Sequence, residues 1–199
     1  MKKQEILRTL FFMLGAITMI LMSLHYFDNQ ESGIQYDRES YNVILSVHIV
    51  CGCIAILIGP FQFLQQSVKK KWHRKVGYMY ASSVWLGSIT GLIIASQAMG
   101  GWITSLGFSS LALYWFYSMT MAIVTIKQGD VESHRRWMLH NYACTFAAVT
   151  LRTMLALALI PGVKFILVYQ QASWTSWLLN ILIVELWLIW KKKNNVSWT

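Results

Sequence analysis

The chain has 199 residues, of which 56% are hydrophobic and only 13% charged, with a mean hydropathy of +0.46. A soluble domain of this size carries about a quarter charged residues, so this composition points to an integral membrane protein. The net charge of +9 does not indicate nucleic acid, because the basic residues sit in short clusters between apolar runs rather than along one stripe.

Met1 to Arg8 is short and basic, and an apolar run follows to Phe27. No small-x-small cleavage pattern closes that run, so it reads as a retained first span, about 8–27, rather than a signal peptide. Asp28 to Ser40 is polar and mostly acidic. Tyr41 to Leu64 forms a second span, with Pro60 near its end, where a lost backbone bond is tolerated. The basic loop Lys69 to Lys75 leads into a third span, 76–99, rich in small residues. Its Gly87-x-x-x-Gly91 pattern allows a neighbouring helix to approach closely.

The Gly100-Gly101 turn returns the chain through a fourth span, 104–126. Lys127 to Ser133 is a polar loop before the fifth span, 137–160, which Pro161-Gly162 is expected to end. A less regular segment then precedes a sixth span, 174–190. The expected fold is all-α: a single polytopic helical bundle over residues 1–199 with about six transmembrane helices.

Placing the N-terminus in the cytoplasm puts 14 of the 17 Lys and Arg residues on one side. Arg38 and Lys164 fall on the other, and Arg152 lies within a span. The positive-inside rule then sets both termini in the cytoplasm. Trp72, Trp102, Trp137 and Trp190 fall near the interfaces, as an aromatic belt requires. These features imply a multi-pass membrane protein, partnered by the lipid bilayer and not by nucleic acid. The small-residue faces also suit a membrane partner or a second copy of the chain.

His134 to Arg152, HRRWMLHNYACTFAAVTLR, is the most informative run. At 100° per residue its two end residues share a helix face, roughly 27 Å apart, with Met138, Asn141, Thr145 and Ala148 on or near the same line. Arg152 cannot shed its charge and so needs a cavity, a partner, an anionic ligand or a snorkelling path to the outer interface. His48 lies two turns inside the second span, a depth at which an ionisable residue is by default functional. His73 and His134 stand at the cytoplasmic edge, 61 residues apart, each opening the second helix of a hairpin, either as interfacial anchors or as a matched pair. This echo reads as a loose parallel repeat of spans two–three and four–five. His140 and Glu185 reach a similar depth, about 9 Å inward from His134 and about 7 Å from the end of span six. Gln62 lies near that level, and His25 and Gln97 lie toward the outer side.

Histidines at matched depth on different helices suit haem b, for which histidine is a common axial ligand. Two bis-histidine haems are poorly supported, because the position equivalent to His48 under the 61-residue offset is Ser109. One haem between His73 and His134 remains open, as does a metal held by His73, His134 and His140. His134 and His140 are about 120° apart round the helix, which disfavours shared ligation. Cys51, Cys53 and Cys144 lie in apolar runs and read as packing residues. No nucleophile–base pair or phosphate-binding loop is visible, so no enzyme class is assigned.

GPFQF (Gly59 to Phe63), HRKVGYMY (His73 to Tyr80), the His134 to Arg152 run, and Trp177 with Asn180 and Glu185 resemble the DUF2306 family, predicted bacterial multi-pass membrane proteins. The likeness extends from about His48 to Glu185. It implies a six-to-seven-span helical protein of a bacterial inner membrane, and its histidine-bearing helices distantly resemble those of di-haem membrane cytochromes. The family is expected to have arginine at His140, so the resemblance weakens a three-histidine metal site. The leading expectation is a haem- or metal-binding electron-transfer protein in which His48, His73, His134 and Arg152 contact the cofactor. Its rivals are a small-solute or proton-coupled transporter using Arg152, His48 and Glu185, and a non-catalytic membrane assembly protein.

Overall fold

In the computed structural model, the described residues are 17, 38–63, 70–156 and 160–196. The proposed first span and His25 lie outside them. The described chain forms five helices: α1 (Arg38–Gln62), α2 (Lys70–Ala95), α3 (Trp102–Lys127), α4 (Val131–Leu155) and α5 (Phe165–Lys193). Among the described residues there is no strand. α1, α2, α3 and α5 each contain a stretch long and apolar enough to cross a membrane. Each needs about 20 such residues to do so.

Helix boundaries differ from the apolar runs in an instructive way. α2 begins at Lys70, inside the basic segment expected to be a loop, and α5 continues through Lys191 to Lys193. Long basic side chains can extend into water while their backbone remains helical, so hydropathy marks the crossing and not the helix. α4 starts at Val131 and stops at Leu155, short of Pro161. Asp130 starts it by accepting a hydrogen bond from the Ser133 backbone N–H onto its side chain, which satisfies one of the orphan donors of the first turn. The stretch before span six is not irregular from Phe165 onward, because α5 already begins there.

α1 to α4 form an antiparallel ring in which consecutive helices pack, and α1 closes onto α4. α5 packs outside that ring, against α4 and α3. α2 and α4 sit diagonally across it, and their backbones do not pack directly. Displaced by 61 residues, α2 would cover 131–156, within one residue of α4. The repeat read from the His-Arg echo thus extends to helix length.

The turn between α2 and α3 uses Gly100 and Gly101 at φ of 92° and 74°, backbone conformations that glycine adopts without steric cost. Close helix approach is visible at Gly91, where an added Cβ would sit 2.9 Å from His48 Cε1. At Gly59 an added Cβ would run into the Tyr142 ring.

α4 is the least apolar of these helices and the most enclosed. Residues His140 to Thr145 are buried without interruption, so the helix is covered on every side by α1, α3 and α5. Such all-round burial usually accompanies an all-apolar sequence. Here it encloses His140, Asn141 and Thr145, which must therefore find polar partners inside the protein. Cys51 and Cys144 are buried and, with Cys53, unbridged.

Candidate functional site

The polar residues of the bundle fall into four groups. The central one joins the two diagonal helices. Asn141 is fully buried, and its amide uses its full set of protons. Nδ2 donates to the Trp115 carbonyl at 2.8 Å and to Ser118 Oγ at 2.9 Å. Oδ1 accepts from the Tyr80 hydroxyl at 2.7 Å. The Thr145 hydroxyl accepts from Trp115 Nε1 at 2.9 Å and lies 3.1 Å from the Tyr80 oxygen. Tyr80 on α2 and Asn141 on α4 are again 61 residues apart, so the repeat closes on itself through this bond. A network this completely satisfied rigidifies the core and fixes the spacing between α2 and α4. Sequence reading found the Asn141–Thr145 stripe but not Tyr80, whose register on another helix carried no signal of its own.

The second group lies at the end of the bundle where α2 and α4 begin. His73 and His134 are each the fourth residue of their helices. They lie close enough for a charge on one to act on the other. The His134 Nδ1 is 2.7 Å from the Ala122 carbonyl on α3. A carbonyl can only accept, so Nδ1 carries the proton in this contact and Nε2 of the neutral ring keeps its lone pair. That is the tautomer of a metal-ligating histidine, whose second nitrogen donates to a carbonyl or carboxylate and fixes the ring.

At the opposite end, His48 shows the same arrangement, with Nδ1 2.9 Å from the Gly87 carbonyl. Gly91 supplies the room for its ring. Arg152 is near enough to act electrostatically on His48 and Cys53, and its Nη1 donates to the Ala148 carbonyl one turn back at 3.0 Å. The four residues singled out from sequence therefore divide into two pairs, His73 with His134 and His48 with Arg152, at opposite ends of α4.

The fourth group joins α3, α4 and α5. His140 is buried, with Nδ1 2.7 Å from the Tyr114 hydroxyl. Its Nε2 lies 3.0 Å from Glu185 Oε1, within ion-pair distance but without the alignment of a hydrogen bond. Arg136 Nη2 donates to both Glu185 oxygens, at 2.9 and 3.2 Å. Trp137 and Tyr114 flank the imidazole, with ring centroids 5.8 and 6.3 Å away. Arg136, from the basic start of α4, is thus the ion-pair partner of Glu185. The matching depths of His140 and Glu185 were readable in sequence; Tyr114 was not.

The three-histidine metal site does not form. His140 is engaged by Tyr114 and Glu185, and among the described residues no cluster of three or more His, Cys, Asp or Glu residues could hold an ion. For haem, the donor chemistry at the His73–His134 end fits: two imidazoles on helices whose backbones stand apart, one already held in the ligating tautomer.

Comparison with curated proteins and with solved structures returned no match. The family comparison did: the model described as "Predicted membrane protein (DUF2306)" matches residues 45–188, which takes in all the groups described above. The chain belongs to this DUF2306 family of predicted membrane proteins.

Proposed function

We propose that this protein is a membrane-embedded electron carrier that holds one haem b between His73 on α2 and His134 on α4. The observation that carries this reading is the 2.7 Å contact between His134 Nδ1 and the Ala122 carbonyl. It leaves Nε2 as the donor atom and locks the ring plane against rotation, as the shell around a metal-ligating histidine does. Support also comes from the diagonal placement of the two helices, whose backbones do not pack against each other. The Tyr80–Asn141 knot holds that separation from within the core.

Bound there, the iron would supply one-electron redox chemistry, which this chain's side chains lack. The protein's own part is to orient the two imidazoles, through Ala122 at His134, at the basic edge of the bundle. His48 and Arg152 lie at the far end of α4, so they belong to a separate region and not to this ligand set. The same proposal includes the retained first span, six crossings and both termini in the cytoplasm of a bacterial cell, supported by the distribution of 14 of 17 basic residues. A solute carrier built on Arg152 has less support, since that guanidinium donates to its own helix.

The test is an absorption spectrum of protein purified after expression with supplied haem. A Soret band that shifts on reduction, and is lost in both His73→Ala and His134→Ala, is the expected result. A wild-type protein without a Soret band refutes the reading.

A further inference from the structure

We propose that Tyr114, His140 and Glu185 form a proton-accepting site, loaded as an electron enters at the His73–His134 end. This deepens the electron-carrier reading and rests on it. The geometry suits a group that exists in two charge states. With a neutral ring, Nδ1 accepts from the Tyr114 hydroxyl and Nε2 carries the proton, 3.0 Å from the Glu185 carboxylate. An added proton goes to Nδ1. The Tyr114 hydroxyl then turns to accept from it, and the imidazolium stands at ion-pair distance from the Glu185 carboxylate. A hydroxyl both donates and accepts, so Nδ1 keeps its Tyr114 partner in either state. A carbonyl in place of Tyr114 would permit only one of them.

The groups facing His140 are Tyr114 from α3, Arg136 from α4 and Glu185 from α5, while Tyr117 and Cys144 lie near Tyr114. The Glu185 carboxylate lies 3.0 Å from the ring and is itself paired with Arg136. Glu185 is 32% exposed and His140 only 6%, so the carboxylate links the buried ring to the bundle surface. His140 lies six residues beyond His134 on the same helix, about 9 Å along the axis, a distance at which charges interact through a low-dielectric interior. In the coupled step a one-electron donor supplies the electron, water at the membrane edge supplies the proton, and no other bond forms or breaks.

The experiment is a redox titration of the haem-loaded protein between pH 5 and 8. Its companion is an infrared pH titration of the haem-free protein, following imidazole and carboxylate bands. The midpoint potential of the wild type should fall as pH rises, approaching about 59 mV per pH unit, a tenfold change in proton concentration converted for one electron. His140→Gln should remove the slope and pin the potential at the wild-type high-pH value. His140→Arg, a fixed cation in the same place, should remove it too and pin the potential at the low-pH value. In the haem-free protein, an imidazole band titrating in this range should be present in the wild type and missing in His140→Gln.

A Soret band with an undiminished slope in His140→Gln overturns the inference while leaving the electron-carrier reading intact. No imidazole titration attributable to His140 overturns the inference without recourse to haem. A missing Soret band in the wild type refutes the electron-carrier reading and the coupling with it.

Discussion

Replacing Asn141 by leucine, which keeps the branched shape and removes the amide, tests the core knot most directly. Three hydrogen bonds disappear: those to Tyr80, the Trp115 carbonyl and Ser118. Side-chain hydrogen bonds between membrane helices average about 0.6 kcal/mol each, so the direct loss is ~2 kcal/mol. The penalty for stranded groups adds little, because each retains another neighbour. The Tyr80 hydroxyl keeps Thr145 at 3.1 Å, and Ser118 keeps the Trp115 carbonyl at 3.1 Å. The expected destabilisation is therefore about 2 kcal/mol, and not the several kcal/mol of a buried polar group left alone. Reversible unfolding in mixed detergent micelles, measured for wild type, Asn141→Leu, Tyr80→Phe and the double variant, reads this directly. The double-mutant cycle should give a coupling of about 0.6 kcal/mol between Tyr80 and Asn141. An Asn141→Leu protein as stable as wild type would show that the knot does not hold α2 and α4 together.

Gly59→Ala should cost about 1–3 kcal/mol, because the new Cβ would meet the Tyr142 ring, which is itself wedged against Phe63 and Phe146; the same unfolding assay checks it. Glu185→Gln should change stability by less than about 1 kcal/mol, since its pairing with Arg136 is partly exposed to water, and a larger loss would make the cluster structural rather than protonic. Hydrogen bonds from Ser133, by its side chain and its backbone, hold the Asp130 carboxyl below the ordinary carboxylate range. A depressed value means that the contribution is present above the unfolded-state value and is lost as acidification passes the folded one. The start of α4 should therefore loosen at low pH in wild type but not in Asp130→Asn, as hydrogen exchange of the Val131 to Arg135 amides would show.

Much of the bundle was legible before any coordinates. Apolar runs located α1, α2, α3 and α5 because lipid demands continuous hydrophobic length. The His-Arg echo located a repeat that the helix bounds of α2 and α4 bear out to within one residue. Helix ends were less legible. Basic residues at Lys70 to Lys75 and Lys191 to Lys193 read as loop, yet water on their side chains costs the helical backbone nothing.

The site divides along the same line. Residue type and depth singled out His48, His73, His134 and Arg152, since ionisable groups inside a membrane stand out against an apolar background. Which of them meet depends on rotation and lateral packing, and neither leaves a trace in hydropathy. Tyr80 and Tyr114 show this best: as aromatic residues in apolar helices they look like packing, and only the hydroxyl's position against Asn141 or His140 makes them polar partners. Sequence by itself determined that the chain is a helical membrane protein and that the His134 to Arg152 helix is its polar element. Only the tertiary structure decided that this helix is enclosed by three others. That enclosure is the physical reason it can carry Asn141, Thr145 and His140, because each meets a polar partner there that lipid could not supply.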